Sequence, residues 1–124
     1  MYFNEIEYDE YAEFYRTNIL ETLKLYTLTT SQLDELASPT FAPLYELESE
    51  LEYAFLPVLF DTVFRNKLIA TKFKAPLLNF KKSVDAIPTA VWDWNFIDSH
   101  PQWIAVRTLA KKLLNSIESN GVIQ

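Results

Sequence analysis

The sequence predicts an all-α fold: a single compact domain over residues 1–124, built from five or six helices as a bundle or an orthogonal helical array. Three observations carry this. Apolar residues recur at helical spacing in every long segment. The chain has 124 residues, the size of one domain, and no repeat, linker or low-complexity stretch divides it. Apolar residues make up 49% and aromatic residues 15%, enough to fill one core.

The first helix is predicted from about Tyr8 to Leu28. With successive residues 100° apart, Tyr8, Tyr11, Ala12, Tyr15, Ile19, Thr22, Leu23 and Tyr26 share one face, and Glu10, Glu13, Thr17, Glu21 and Lys24 lie opposite. Glu5, Glu7 and Asp9 suit the positive end of its dipole. Thr27, Thr29 and Thr30 weaken the helix by β-branching. Ser31, with Asp34 three residues on, reads as the cap of a short helix that ends near Ala37, before Ser38-Pro39-Thr40.

Pro43 fits the first turn of the next helix, where its missing N–H costs little. Leu44, Leu47, Leu51, Ala54, Phe55 and Val58 form the buried stripe. Residues 45–53 also alternate with period two, a strand signal, but Glu is depleted in strands and the stripe continues at helical spacing. Pro57 kinks this helix or begins another that continues to about Ala70. A further helix begins at Pro76; Phe73, Leu77, Phe80, Val84 and Ile87 line its inner side and Pro88 ends it. Trp92-Asp93-Trp94-Asn95-Phe96 is an aromatic connection. The last helix has Ser99 as N-cap, Gln102 closing a capping box and Pro101 in the first turn. Its stripe is Trp103, Val106, Leu109, Ala110, Leu113, Leu114 and Ile117, and Asn120-Gly121 supplies a left-handed stop near Ser119.

Composition excludes many function classes. One glycine, Gly121, leaves no P-loop, dinucleotide fingerprint or glycine-flanked nucleophile elbow. No cysteine means no thiol catalysis or thiolate metal site, and a lone histidine, His100, cannot form a multi-histidine cage. The expectation is a protein that is not an enzyme and needs no cofactor. The acidic N-terminal stretch lacks the features of a signal peptide, and the longest apolar run, Tyr53–Phe60, is too short to span a bilayer, so a cytoplasmic protein without membrane contact is expected.

The charge is unevenly distributed. Residues 1–61 hold thirteen acids against two bases, a net of −11, and residues 62–124 hold four acids against nine bases, a net of +5. The acidic half repels nucleic acid and suits a basic protein partner. On a helical wheel Tyr45, Glu46, Ser49, Glu50, Glu52 and Tyr53 occupy one arc away from the leucine stripe. Tyrosines give rigid contact area and the acids steer a basic partner, so these six are the predicted partner-binding residues. The same arc also fits a solvated face whose tyrosines lie on their neighbours.

Three other constellations bear on function. Glu7, Glu10 and Glu13 have the i,i+3 spacing of carboxylates that hold Mg²⁺ in helical nucleotide pyrophosphatases, with Glu46 and Glu50 as a second motif; these two, however, point away from the interior. An enzyme of that kind is one alternative. Trp92, Trp94 and Trp103 form a corner of the core or the anchor of an interface, and in the latter case the chain is a helical adapter or scaffold subunit. Lys72, Lys74, Lys81, Lys82, Arg107 and Lys111 fit intramolecular pairing with the acidic half better than phosphate contacts. His100 has no accompanying nucleophile and reads as a cap or a surface-packing residue.

Residues 103–114, Trp103-Ile-Ala-Val-Arg107-Thr-Leu-Ala110-Lys-Lys-Leu-Leu114, together with the length, acidity and lack of catalytic motifs, resemble the small immunity proteins of bacterial polymorphic toxin systems, including contact-dependent growth inhibition. The resemblance implies a cytosolic protein that binds and neutralises one cognate toxin domain. Those families differ in fold, and no site residue carries over. The resulting expectation is that the acidic face occludes a basic, nuclease-type toxin domain. The oligomeric state is left open.

Overall fold

A computed structural model describes residues 3–122. They form seven α-helices: α1 Phe3–Glu10, α2 Ala12–Tyr26, α3 Thr30–Leu36, α4 Pro43–Ala54, α5 Pro57–Arg65, α6 Lys74–Asp85 and α7 Pro101–Val122. Short 3₁₀ turns lie at Thr71–Phe73, Thr89–Val91 and Trp94–Phe96. The fold is all-α; among the described residues the only β pairing is an isolated bridge between Ser38 and Phe41 that closes the Pro39-Thr40 turn. Among the described residues no helix is long and apolar enough to cross a membrane.

The helix count exceeds the expected five or six because one boundary was not readable from periodicity. The first predicted helix breaks at Tyr11, whose backbone leaves the helical region and whose N–H turns to the Tyr8 carbonyl at 3.0 Å. The break sets α1 against α5. There the Asp9 carboxylate accepts from Arg65 Nη2 at 2.6 Å and from Asn66 Nδ2 at 2.9 Å. Tyr11, expected to face inward, is exposed. Glu7 lies inside α1 rather than ahead of a helix start, and the Glu5 side chain falls outside the described ones. Of the two roles expected for Pro57, the structure shows the second: it starts α5 rather than kinking α4. As a result Val58, assigned to the α4 stripe, is exposed.

Helix α5 stops at Arg65, short of the expected Ala70, in a C-terminal motif with no glycine. Lys67 adopts φ 59°, its N–H bonds to the Phe64 carbonyl at 3.0 Å, and the Leu68 N–H bonds to Val63 at 3.1 Å. This is the Schellman arrangement with a lysine in the left-handed position that glycine usually takes. The sequence's one glycine was expected to end the last helix, but α7 runs through Asn120-Gly121 to Val122.

Two caps also differ from expectation. Thr29 caps α3, not Ser31: its hydroxyl accepts from the Gln32 N–H at 3.4 Å and the Gln32 side chain accepts from the Thr29 N–H at 2.9 Å. Helix α7 is capped by His100, not Ser99; Nδ1 accepts from the Gln102 N–H at 3.1 Å, and the Gln102 side chain reaches the Ala86 carbonyl. The α6–α7 connection is tied down by Asp98, which accepts from the Thr30 hydroxyl at 2.6 Å and the Thr30 N–H at 2.9 Å.

Helix α2 is central. It packs on α4, α5 and α7, while α6 packs on α7. Ile19 and Leu23 are fully buried, as are Leu77 and Phe80. Tyr26 stacks on Trp103 (centroids 6.4 Å apart), meets Phe80 edge-on at 5.5 Å and donates its hydroxyl to the Leu47 carbonyl at 2.7 Å. Burial comes first, and Glu48, Asp85 and Glu52 next, in pushing the Tyr26 phenol far above its ordinary pKa. Trp103 is buried, with Nε1 donating to the Val91 carbonyl at 2.7 Å.

Two outcomes follow for stability. Phe80→Ala is expected to cost about 3–5 kcal/mol in urea unfolding, whereas Tyr26→Phe, which loses only the bond to Leu47, costs about 1 kcal/mol. Second, bonds from the Thr30 side chain and backbone hold the Asp98 carboxyl below its usual range, and the Asn66 amide and Arg65 guanidinium do the same for Asp9. Their lowered folded-state pKa values stabilise the fold above the unfolded value, about 4, and this contribution disappears as pH falls through the folded values. Unfolding free energy measured against pH is expected to decline below about pH 4, less steeply in Asp98→Asn.

Candidate functional site

Helix α4 turns Leu47, Leu51 and Ala54 into the core. One flank of what remains faces the C-terminal end of α6. That end stops at Asp85; Ile87 is buried, and the Thr89–Val91 turn brings Trp92 back onto Trp103, with ring centroids 4.8 Å apart. The result is a cleft of 380 Å³ between α4 and the α6–α7 connection. Its volume lies in the range of ligand clefts, roughly 300–1,000 Å³. Leu44, Leu51, Val84 and Ile87 supply apolar surface, Tyr45 and Trp92 supply aromatic wall, and Glu48, Glu52 and Asp85 supply carboxylates.

One internal cation sits beside these acids. Lys81 Nζ is 2.7 Å from Asp85 and 3.5 Å from Glu52. Burial works against its charged form, but the Asp85 bond and the charges of Asp85 and Glu52 outweigh it and raise its pKa above the ordinary lysine value. Glu48 has no ion-pair partner among the described residues. The cleft group of three acids and one base therefore keeps a net negative charge beside two aromatic rings. Such a surface attracts a cationic side chain by charge and by ring faces.

The six residues predicted from the helical wheel are divided between two flanks. Tyr45, 66% exposed, and Glu52 line the cleft. Glu46, Ser49 and Glu50 are half-buried outside the cleft, and the Glu50 backbone carbonyl accepts from the Thr22 hydroxyl at 3.4 Å. Tyr53 is exposed, close enough to Tyr15 that, after burial, it helps raise the Tyr15 pKa. Glu48 was not among the six because the wheel places it next to the leucine stripe. Asp85 and Trp92 come from the far half of the chain, and no local pattern links them to α4.

Other candidates have structural settings. Glu7, Glu10 and Glu13 are exposed, and the break at Tyr11 interrupts their helical register. Among the described residues no group of three or more acids or histidines is placed to share a metal ion. Trp94 is half-buried against the core, as is Trp92, which packs edge-on against Trp103. The bases pair only partly with the acidic half: Arg65 with Asp9, Lys74 with Asp61 and Lys81 with Glu52. Arg107 instead donates to the Ile97 and Asp98 carbonyls.

No family model matches the chain, and no curated protein or solved structure matches it significantly.

Both Lys81 pairs are partly solvated, and such pairs contribute about 0–1 kcal/mol. Lys81→Met is thus expected to lower stability in urea unfolding by about 1 kcal/mol or less while leaving the cleft more negative.

Proposed function

We propose that this chain is an immunity protein that binds and neutralises a basic, nuclease-type bacterial toxin domain in the cytoplasm. The observation that carries the reading is the acidic, aromatic-walled cleft between α4, which lies in the half of the chain with a net charge of −11, and the α6–α7 connection. Tyr45, Glu48 and Glu52 form the centre of the contact, and Glu46, Ser49, Glu50 and Tyr53 extend it along α4. The toxin's own nucleic-acid-binding surface has to be basic, so a protein that presents acids at matching places competes for that surface and covers it. Complementary charge raises the encounter rate, and aromatic burial slows dissociation. No covalent step is required. The resemblance of residues 103–114, length and acidity to immunity proteins supports the same reading.

The test takes the product of the adjacent gene as the candidate toxin domain and co-expresses it with this chain. Growth arrest by that domain alone, relieved by the chain, is the expected result; arrest that the chain leaves untouched refutes the proposal. Binding kinetics then locate the surface. Glu48→Lys with Glu52→Lys is expected to slow association about tenfold at low salt and to flatten its salt dependence. Tyr45→Ala is expected to speed dissociation, at a cost of about 2 kcal/mol or more. Reversing Glu46 and Glu50 is expected to change association less.

A further inference from the structure

A second groove lies in the basic half of the chain, between the start of α6 and the middle of α7. Phe73, Pro76, Leu109 and Leu113 line it between Lys72 and Lys112, and its volume is 300 Å³. Both lysines are exposed, and neither has an ion-pair partner among the described residues. Lys72 Nζ instead stands 5.3 Å from the Phe73 ring centroid. An apolar groove with two uncompensated cations at its edges fits an acidic helix that carries exposed apolar side chains.

The chain presents such a surface itself. Around the α1–α2 break, Tyr11 is 58% exposed and Phe14 is 56% exposed, and each has an exposed acid next to it, Glu10 and Glu13. A helical wheel puts Glu21 on the Phe14 side as well. Among the described residues the one aromatic ring that Phe14 meets is its neighbour Tyr15, edge-on at 6.1 Å. Large aromatics left this open beside acids are a contact in want of a basic, apolar partner.

We propose that the Lys72–Lys112 groove receives the Tyr11–Phe14 face of a second copy of this chain, with Glu10 and Glu13 beside the two lysines. Each copy carries both halves of the contact, so association is either reciprocal in a closed dimer or sequential. The cleft beside α4 takes no part, and the contact stands independently of the toxin-binding reading.

The experiment is sedimentation velocity of the full chain over a range of concentrations at low and high salt. Concentration-dependent association that weakens with salt is expected; a monomer throughout overturns the proposal and leaves the groove to another occupant. Phe14→Ser, at an exposed position, is expected to weaken association roughly 30-fold, with unchanged helicity by circular dichroism. Association unaffected by this change overturns the proposal. Glu13→Lys and Lys112→Glu are each expected to weaken association at low salt, and the double variant to restore it. A double variant no tighter than the single ones overturns the pairing.

Discussion

Tyr26 is the point at which the helices of this fold meet. Its ring lies between Trp103 of α7 and Phe80 of α6, and its hydroxyl holds the backbone of α4 at Leu47. One side chain of α2 therefore sets the distance between three other helices. The position of α4 against α6, and with it the width of the cleft, is set from beneath by this contact. The acids around the cleft are felt at the buried phenol, since Glu48, Asp85 and Glu52 all help to keep it protonated. The core and the surface site are in this sense one construction.

The electrostatics are separable from the stability of the fold. Among the described residues, three ion pairs join the acidic half to the basic half, and each is substantially solvated. Pairs of that kind contribute about 0–1 kcal/mol each, and among the described residues most of the acids before position 62 have no ion-pair partner. Folding accounts for little of this charge. The first half of the chain keeps a net charge of −11 and the second a net of +5, and a partner meets the resulting field before it meets any contact.

The parts of the fold legible in the sequence are those set by burial. Phe73, Leu77, Phe80, Val84 and Ile87 are all buried as their spacing implied, and Pro43 does begin α4. The parts that were illegible are set by tertiary contact. Tyr11 breaks an otherwise continuous pattern because α1 docks on α5 through Asp9, a contact with no local signature. Lys67 takes a left-handed conformation with no glycine to announce it, and Gly121 continues a helix. The cleft was half visible: Tyr45 and Glu52 followed from the wheel, whereas Asp85 and Trp92 reach it only through the turn after α6.

The central place of α2 has a bearing on how the chain is made. Its partner α7 is the last helix in the sequence, so during synthesis Ile19, Leu23 and Tyr26 leave the ribosome long before Trp103 and Val106 arrive to cover them. Helices α4 and α5 follow sooner and can shield part of that face, but the stacking partner of Tyr26 comes only with α7, after the six other helices. Contacts of such long sequence separation are slow to form and leave apolar surface open in the interval. The nascent chain thus carries an unfinished core until α7 has been made, and native packing is available only once that helix has been read.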